Sequence, residues 1–127
     1  KDTAESYLAV RVPPAFDIDG LISFVTGTAG DAEVICDQRL EGVITSKNTP
    51  LIRAFLKAIR TAGGQPTFKK KTGTSDMCVL GPAWGCPIVA YGPGDSRLDH
   101  RPDEHLSLDE YTRGIEVLTS ALKEMVK

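Results

Sequence analysis

Three places in the second half of this chain carry residue types and spacings that suit chemistry. Gly73-Thr74-Ser75-Asp76 is a turn able to open a helix, where unpaired backbone amides and short hydroxyls converge on one point and attract an anion or a carboxylate. Read alone, its simpler role is a plain helix cap. Gly92-Pro93-Gly94-Asp95-Ser96 permits close backbone approach to a ligand, and it equally suits any tight turn. His100 stands four residues past Ser96 in a polar stretch, where a neutral imidazole is a suitable ligand for a borderline-soft divalent metal and a solvated surface histidine is the plain alternative. The two turns flank an apolar run at residues 87–91. They therefore read as adjacent loops at one sheet edge, the usual ligand position in α/β proteins. One histidine cannot hold a metal by itself.

Other charged residues have structural roles to consider first. His105 is five residues past His100, a spacing that does not bring two rings to one side of a helix, so it reads as structural or exposed. Asp103 and Glu104 precede the last helical pattern and favour its positive end. Arg11 can fork onto a carboxylate, or simply sit in a rim ion pair. Lys69-Lys70-Lys71 reads as a solvated edge that discourages sheet pairing. Neither a nucleophile elbow nor a phosphate-loop signature is present in the sequence.

The elements that must position these residues alternate. Residues 7–12 place Leu8, Val10 and Val12 on one side of a half-buried strand that Pro13-Pro14 ends. Asp17 caps a short helix with Ile18, Leu21, Ile22 and Val25 on one face, stopped near residues 27–30, and residues 32–37 read as another strand. Thr49-Pro50 opens a helix carrying Leu51, Ile52, Phe55, Leu56 and Ile59, which Gly63-Gly64 closes. Residues 66–70 read as a short strand, 75–80 as a helical turn or longer, and 87–91 as a buried strand. Ser107 with Glu110 forms a capping box for a final helix whose stripe is Tyr111, Ile115, Leu118, Leu122 and Met125 or Val126. The pattern predicts an α/β layer with a boundary near residues 42–47. The first strand, helix and strand leave most of their apolar face uncovered and need a partner from elsewhere.

With 127 residues, 41% hydrophobic and 25% charged, the composition is that of a single modest globular core. Fifteen basic against seventeen acidic residues give a net charge of -2, which argues against nucleic acid or an anionic membrane as partner. No apolar run reaches the roughly 18 residues of a spanning helix, and the first residues lack a signal-peptide core, so the chain reads as cytosolic. Cys36, Cys78 and Cys86 are odd in number and not in Cys-x-x-Cys spacing, which predicts buried reduced thiols. A start without methionine, running almost at once into a strand-like segment, reads as a piece of a longer protein.

Taken together, these motifs resemble the zinc- or cobalt-dependent family of acetylornithine deacetylase, succinyl-diaminopimelate desuccinylase, aminoacylase and related carboxypeptidases. Arg11-Val12-Pro13-Pro14 followed by Phe16-Asp17 is similar to the closing strand and helix of that family's lid or dimerisation domain. Gly73-Thr74-Ser75-Asp76, Tyr91-Gly92-Pro93-Gly94 and His100-x-Pro102-Asp103-Glu104 resemble three consecutive motifs of its catalytic domain. The resemblance implies an α/β fold in which residues 1–43 form a βαβ piece of a ferredoxin-like lid. Residues 44–127 would then be the C-terminal part of a zinc-hydrolase-like catalytic domain.

Residues 69–77 and 95–100 look most like the branch that releases lysine or ornithine from an amino-group carrier protein, with acetylornithine deacetylase proper as the near alternative. The resemblance implies hydrolysis of a linear amide with two divalent ions, zinc or cobalt. His100 would be the last protein ligand of the second ion. Arg11 would grip the substrate's α-carboxylate, and Gly73, Thr74 and Ser96 would line its pocket. The other ligands and the general-base glutamate have no counterpart in these residues, so they are expected in an N-terminal part of the same enzyme. A cytoplasmic homodimer acting on an N-acyl amino acid or a loaded carrier protein follows as the expected setting. A reading of another class stays open: a non-catalytic module that binds an anion or mediates dimerisation.

Overall fold

A computed structural model describes residues 3–70 and 74–126 and contains four helices. These are α1 (Ile18–Thr28), α2 (Pro50–Thr61), α3 (Met77–Trp84) and α4 (Leu108–Met125). Local chemistry sets their ends. The Asp17 carboxylate accepts from the Gly20 amide at 2.9 Å and caps α1. Gly20 leaves room for this cap, since a Cβ there would lie 2.3 Å from Asp17 Oδ2 and the carboxylate would have to shift. Thr49 Oγ1 accepts from the Ile52 amide at 3.2 Å, and Pro50 takes the first turn of α2, where no amide donor is needed. That helix ends in a Schellman motif: Gly64 N–H donates to the Ile59 carbonyl at 2.8 Å and Gly63 N–H to Arg60 at 3.0 Å. Gly63 supplies the left-handed φ of 76° that the motif requires. Ser107 Oγ accepts from the Glu110 amide at 3.4 Å and caps α4, whose first turn also carries Asp109 and Glu110.

The chain divides into two compact units. One comprises Lys1–Ile44 and Lys70–Trp84, the other Thr45–Lys69 and Gly85–Lys127. In the first unit, Ile18, Leu21, Ile22 and Val25 of α1 are half-buried, as their shared face predicts. Arg39 pairs with Asp19, which lowers the carboxyl's pKa through their hydrogen bond and charge, and residue 42 folds back onto Pro14. Helix α3 contains Pro82, whose missing amide leaves the Cys78 carbonyl without its usual donor. The helix stops before Gly85, which has φ 59°.

The second unit holds the core. Ile52, Ala54, Phe55 and Ala58 of α2 and Val117 and Ala121 of α4 are buried, with Leu51, Ile59, Ala62 and Val89 packed around the cluster. Phe55 meets the Tyr91 ring at 5.1 Å between centroids. Lys57 and Glu124 bridge α2 and α4 at 3.0 Å on the surface, a contact that contributes about 0–1 kcal/mol.

Three sequence expectations need correction. Among the described residues no strand is present, so segments 7–12, 32–37, 66–70 and 87–91 do not form the α/β layer. A strand persists only where its amides and carbonyls pair with a neighbour. An alternating pattern says which face would be covered, not that a neighbour exists. Tyr7 and Leu8 are accordingly 91% and 72% exposed, and of the run 87–91 only Ile88 and Val89 are even half-buried.

The α4 stripe is also displaced. Gly114, Val117 and Ala121 are buried, while Tyr111, Ile115, Leu118, Leu122 and Met125 are exposed. Small side chains let two helices approach closely, so α2 packs on the small-residue face. The thiols are free, but Cys36 and Cys86 are exposed and Cys78 is half-buried.

Candidate functional site

From Tyr91 to α4 the backbone advances through three linked turns. Leu98 N–H donates to the Asp95 carbonyl at 2.9 Å, Arg101 to Leu98 at 3.1 Å, and Glu104 to Arg101 at 3.1 Å. His100 is the third residue of the middle turn and has φ 64°. Turns with positive φ at this position normally use Gly or Asn, because an ordinary Cβ is crowded there. The strain is about 1–2 kcal/mol.

Ala15 is the other described non-glycine residue with positive φ, at 61°. It follows Pro13-Pro14 in a turn closed by Phe16 N–H to the Pro13 carbonyl at 3.3 Å, so proline fixes that geometry. The His100 turn has neither proline nor glycine at its centre. Its amide instead donates to Glu104 Oε2 at 3.2 Å.

The two histidines differ in a way that bears on metal binding. His105 Nδ1 is engaged at 2.8 Å by the Asp103 carbonyl oxygen. The His100 ring is exposed and has no hydrogen-bond partner among the described residues, which leaves both its nitrogens open to a ligand. No group of three or more His, Cys, Asp or Glu able to hold a metal occurs among the described residues. A zinc-type site needs three or four protein ligands, so this chain's donor set fits one corner of such a site.

Ser96 lies in the first of the linked turns and is exposed. Beside it, Arg97 binds Asp95 through Nε at 2.9 Å and Nη2 at 2.6 Å. Those hydrogen bonds, with one from the Arg97 amide, hold the Asp95 carboxyl down at about 2. Arg101 pairs with Asp103 at 3.0 Å, so Asp103 and Glu104 act within the loop rather than on the α4 dipole. Gly92-Pro93-Gly94 packs on α4 at Gly114, where an added Cβ would come within 3.3 Å of Pro93 Cδ. With Tyr91, Glu110 and Arg113 these residues line a hollow of about 210 Å³. Burial raises the pKa of Tyr91 there, partly offset by Arg113. A larger open trough of about 530 Å³ runs along Ile115, Thr119 and Lys123 of α4 and contains none of the candidate residues.

The remaining candidates belong to the first unit. Gly73 lies outside the described residues. Thr74 is exposed just before the turn in which the Ser75 and Asp76 carbonyls accept from Cys78 at 2.9 Å and Leu80 at 2.8 Å, so the motif does open a helix, α3. Arg11 is exposed and makes no ion pair among the described residues. Ser96 and His100 thus share one run of turns in the second unit, while Arg11 and Thr74 lie in the first. Sequence reasoning missed the anchoring role of Glu104. A carboxylate four residues past the histidine, across Pro102, was the available signal.

Comparison with known proteins gives consistent matches. A LysW-lysine hydrolase of Deinococcus radiodurans is 59% identical over 122 residues, covering 94% of this chain and 33% of that protein. A Pyrococcus furiosus protein provisionally named a LysW-lysine/LysW-ornithine hydrolase is 54% identical over 80 residues, 63% of this chain and 24% of the relative. A LysW-lysine/LysW-ornithine hydrolase of Saccharolobus solfataricus is 36% identical over 83 residues, 65% of this chain and 24% of the relative. The chain spans about a quarter to a third of the length of these curated relatives. Peptidase family M20/M25/M40 matches residues 5–124, nearly the whole sequence. The chain belongs to peptidase family M20/M25/M40.

Proposed function

We propose that this chain is the C-terminal portion of a metal-dependent amide hydrolase that releases lysine or ornithine from a carrier protein in amino-acid biosynthesis. The observation that carries the reading is the 59% identity over 122 residues to a protein named LysW-lysine hydrolase. The His100 ring, presented from a strained turn and engaged by no group among the described residues, supports its assignment as a metal ligand. Two divalent ions, zinc or cobalt, would supply Lewis acidity and water activation when bound. His100 would occupy one ligand position, with the remaining donors and the general base on polypeptide outside this chain. The exposed apolar stripe of α4 and the segments 7–12 and 87–91, which form no strand among the described residues, favour that arrangement, since further polypeptide would cover the one and pair with the other.

In the same reading, Arg11 binds the α-carboxylate of the released amino acid, for which its exposed planar guanidinium is suited. Gly73, Thr74 and Ser96 line the substrate pocket. Residues 1–43 are the lid or dimerisation piece, and residues 44–127 the end of an α/β catalytic domain whose sheet is completed elsewhere. A cytoplasmic homodimer is the proposed setting. No helix among the described residues is long and apolar enough to cross a membrane.

The test uses the full-length protein with LysW carrier loaded with lysine, measuring free lysine and bound metal per chain. Two ions and lysine release are expected, and His100→Ala should lose one ion and nearly all turnover. Full turnover with both ions retained in His100→Ala would remove this residue from the site.

A further inference from the structure

We infer that Glu104 is a positioning residue for His100, its carboxylate holding the left-handed turn from which the imidazole is presented; this rests on the metal-ligand role proposed for His100. The middle turn closes through Arg101 N–H to the Leu98 carbonyl and places His100 at the position of positive φ, 64°. A non-glycine residue stays in that region only when its surroundings enforce it. At Ala15 two prolines do so. At His100 the enforcing contact is the 3.2 Å hydrogen bond from its own amide to Glu104 Oε2, a charge-assisted bond that spans the next turn.

Glu104 is itself located by its amide, which donates to the Arg101 carbonyl at 3.1 Å. Its carboxylate is thereby fixed at the far end of the same run. The helix-dipole role for this residue is already filled by Asp109 and Glu110, which sit in the first turn of α4, whereas Glu104 lies three residues before its cap. Turn and anchor together set where the ring stands, so loss of the anchor changes affinity for a metal without removing a ligand. Only an acceptor oxygen is needed for this, not a negative charge.

The test compares wild type, Glu104→Ala, Glu104→Gln and His100→Ala in the full-length protein, with zinc affinity of the metal-free form measured by chelator competition. Loss of an outer contact of this kind weakens metal binding by roughly 10–100-fold. Glu104→Ala is expected to show that loss at one of the two sites, and Glu104→Gln, which keeps an acceptor oxygen, to recover most of it. Hydrogen exchange of the His100 amide in the metal-free protein provides a second measurement: faster in Glu104→Ala and near wild type in Glu104→Gln. Unchanged zinc affinity in Glu104→Ala, with affinity lost in His100→Ala, overturns the positioning role alone. Equal losses in the Ala and Gln variants also overturn it, because they would make the charge or direct ligation decisive. Unchanged zinc binding in His100→Ala overturns the underlying ligand assignment, and the inference with it.

Discussion

Replacing His100 by glycine should stabilise the metal-free protein while removing the proposed metal ligand. At φ 64° a side chain's Cβ is crowded, at a cost of roughly 1–2 kcal/mol that glycine does not incur. Glycine also gains freedom in the unfolded chain, which takes back roughly 0.4–1 kcal/mol. The ring is exposed, so its deletion forfeits little burial, and the backbone amide that donates to Glu104 is retained. The balance is a gain of about 0.5–1 kcal/mol for His100→Gly. His100→Ala keeps the crowding and should be no more stable than wild type.

Urea denaturation with chelator present throughout measures the order, because bound metal would otherwise stabilise whichever variant retained it. The expected order of midpoints is glycine above histidine, with alanine at or below histidine. A glycine variant less stable than alanine would refute the premise that this turn is strained. The same variant should fail to recover metal when zinc is restored, so that stability and metal binding change in opposite directions.

Two further outcomes test the surrounding structure. Val117→Ala removes two methyl groups from a site 2% exposed between α2 and α4 and should destabilise by about 1–3 kcal/mol, read as a lower urea midpoint; no change would mean that the two helices do not pack there. Asp95 is held at about 2, below its ordinary value near 4, chiefly by the Arg97 side chain. Its contribution to stability is therefore fully present above about pH 4 and lost as pH falls toward 2, the sign expected for a depressed carboxyl. An NMR titration should show Arg97→Ala returning the Asp95 carboxyl toward the ordinary value, and an unshifted titration would dismiss the pairing.

What the sequence made legible was chemistry confined to a few neighbouring residues. Asp17, Thr49-Pro50, Gly63-Gly64 and Ser107 each act within five positions of themselves, and each stands at the helix end expected of it. Strands depend on partners distant in sequence, so the alternation at residues 7–12 and the apolar run at 87–91 said nothing about whether those partners are at hand. The apolar stripe of α4 was read from the helical spacing of its apolar side chains. Close helix approach selects by smallness instead, which brings Gly114 and Ala121 inside and leaves Leu118 and Leu122 out.

At the candidate site, the loop position of His100 was visible in its polar neighbours. Its left-handed backbone was not, because histidine has no preference strong enough to announce one. The family resemblance agrees with the match over residues 5–124.

Helix α4 has two neighbouring seams, and consecutive residues can fall on different ones. Val117 faces inward within this chain, while Leu118, one step around the cylinder, faces outward. A mutational scan along the helix should therefore sort with the helical repeat and not with position in the sequence. Damage at 114, 117 and 121 would be felt by the local fold, whereas polar replacements at 111, 115, 118 and 122 would leave that fold standing and make the chain more soluble on its own.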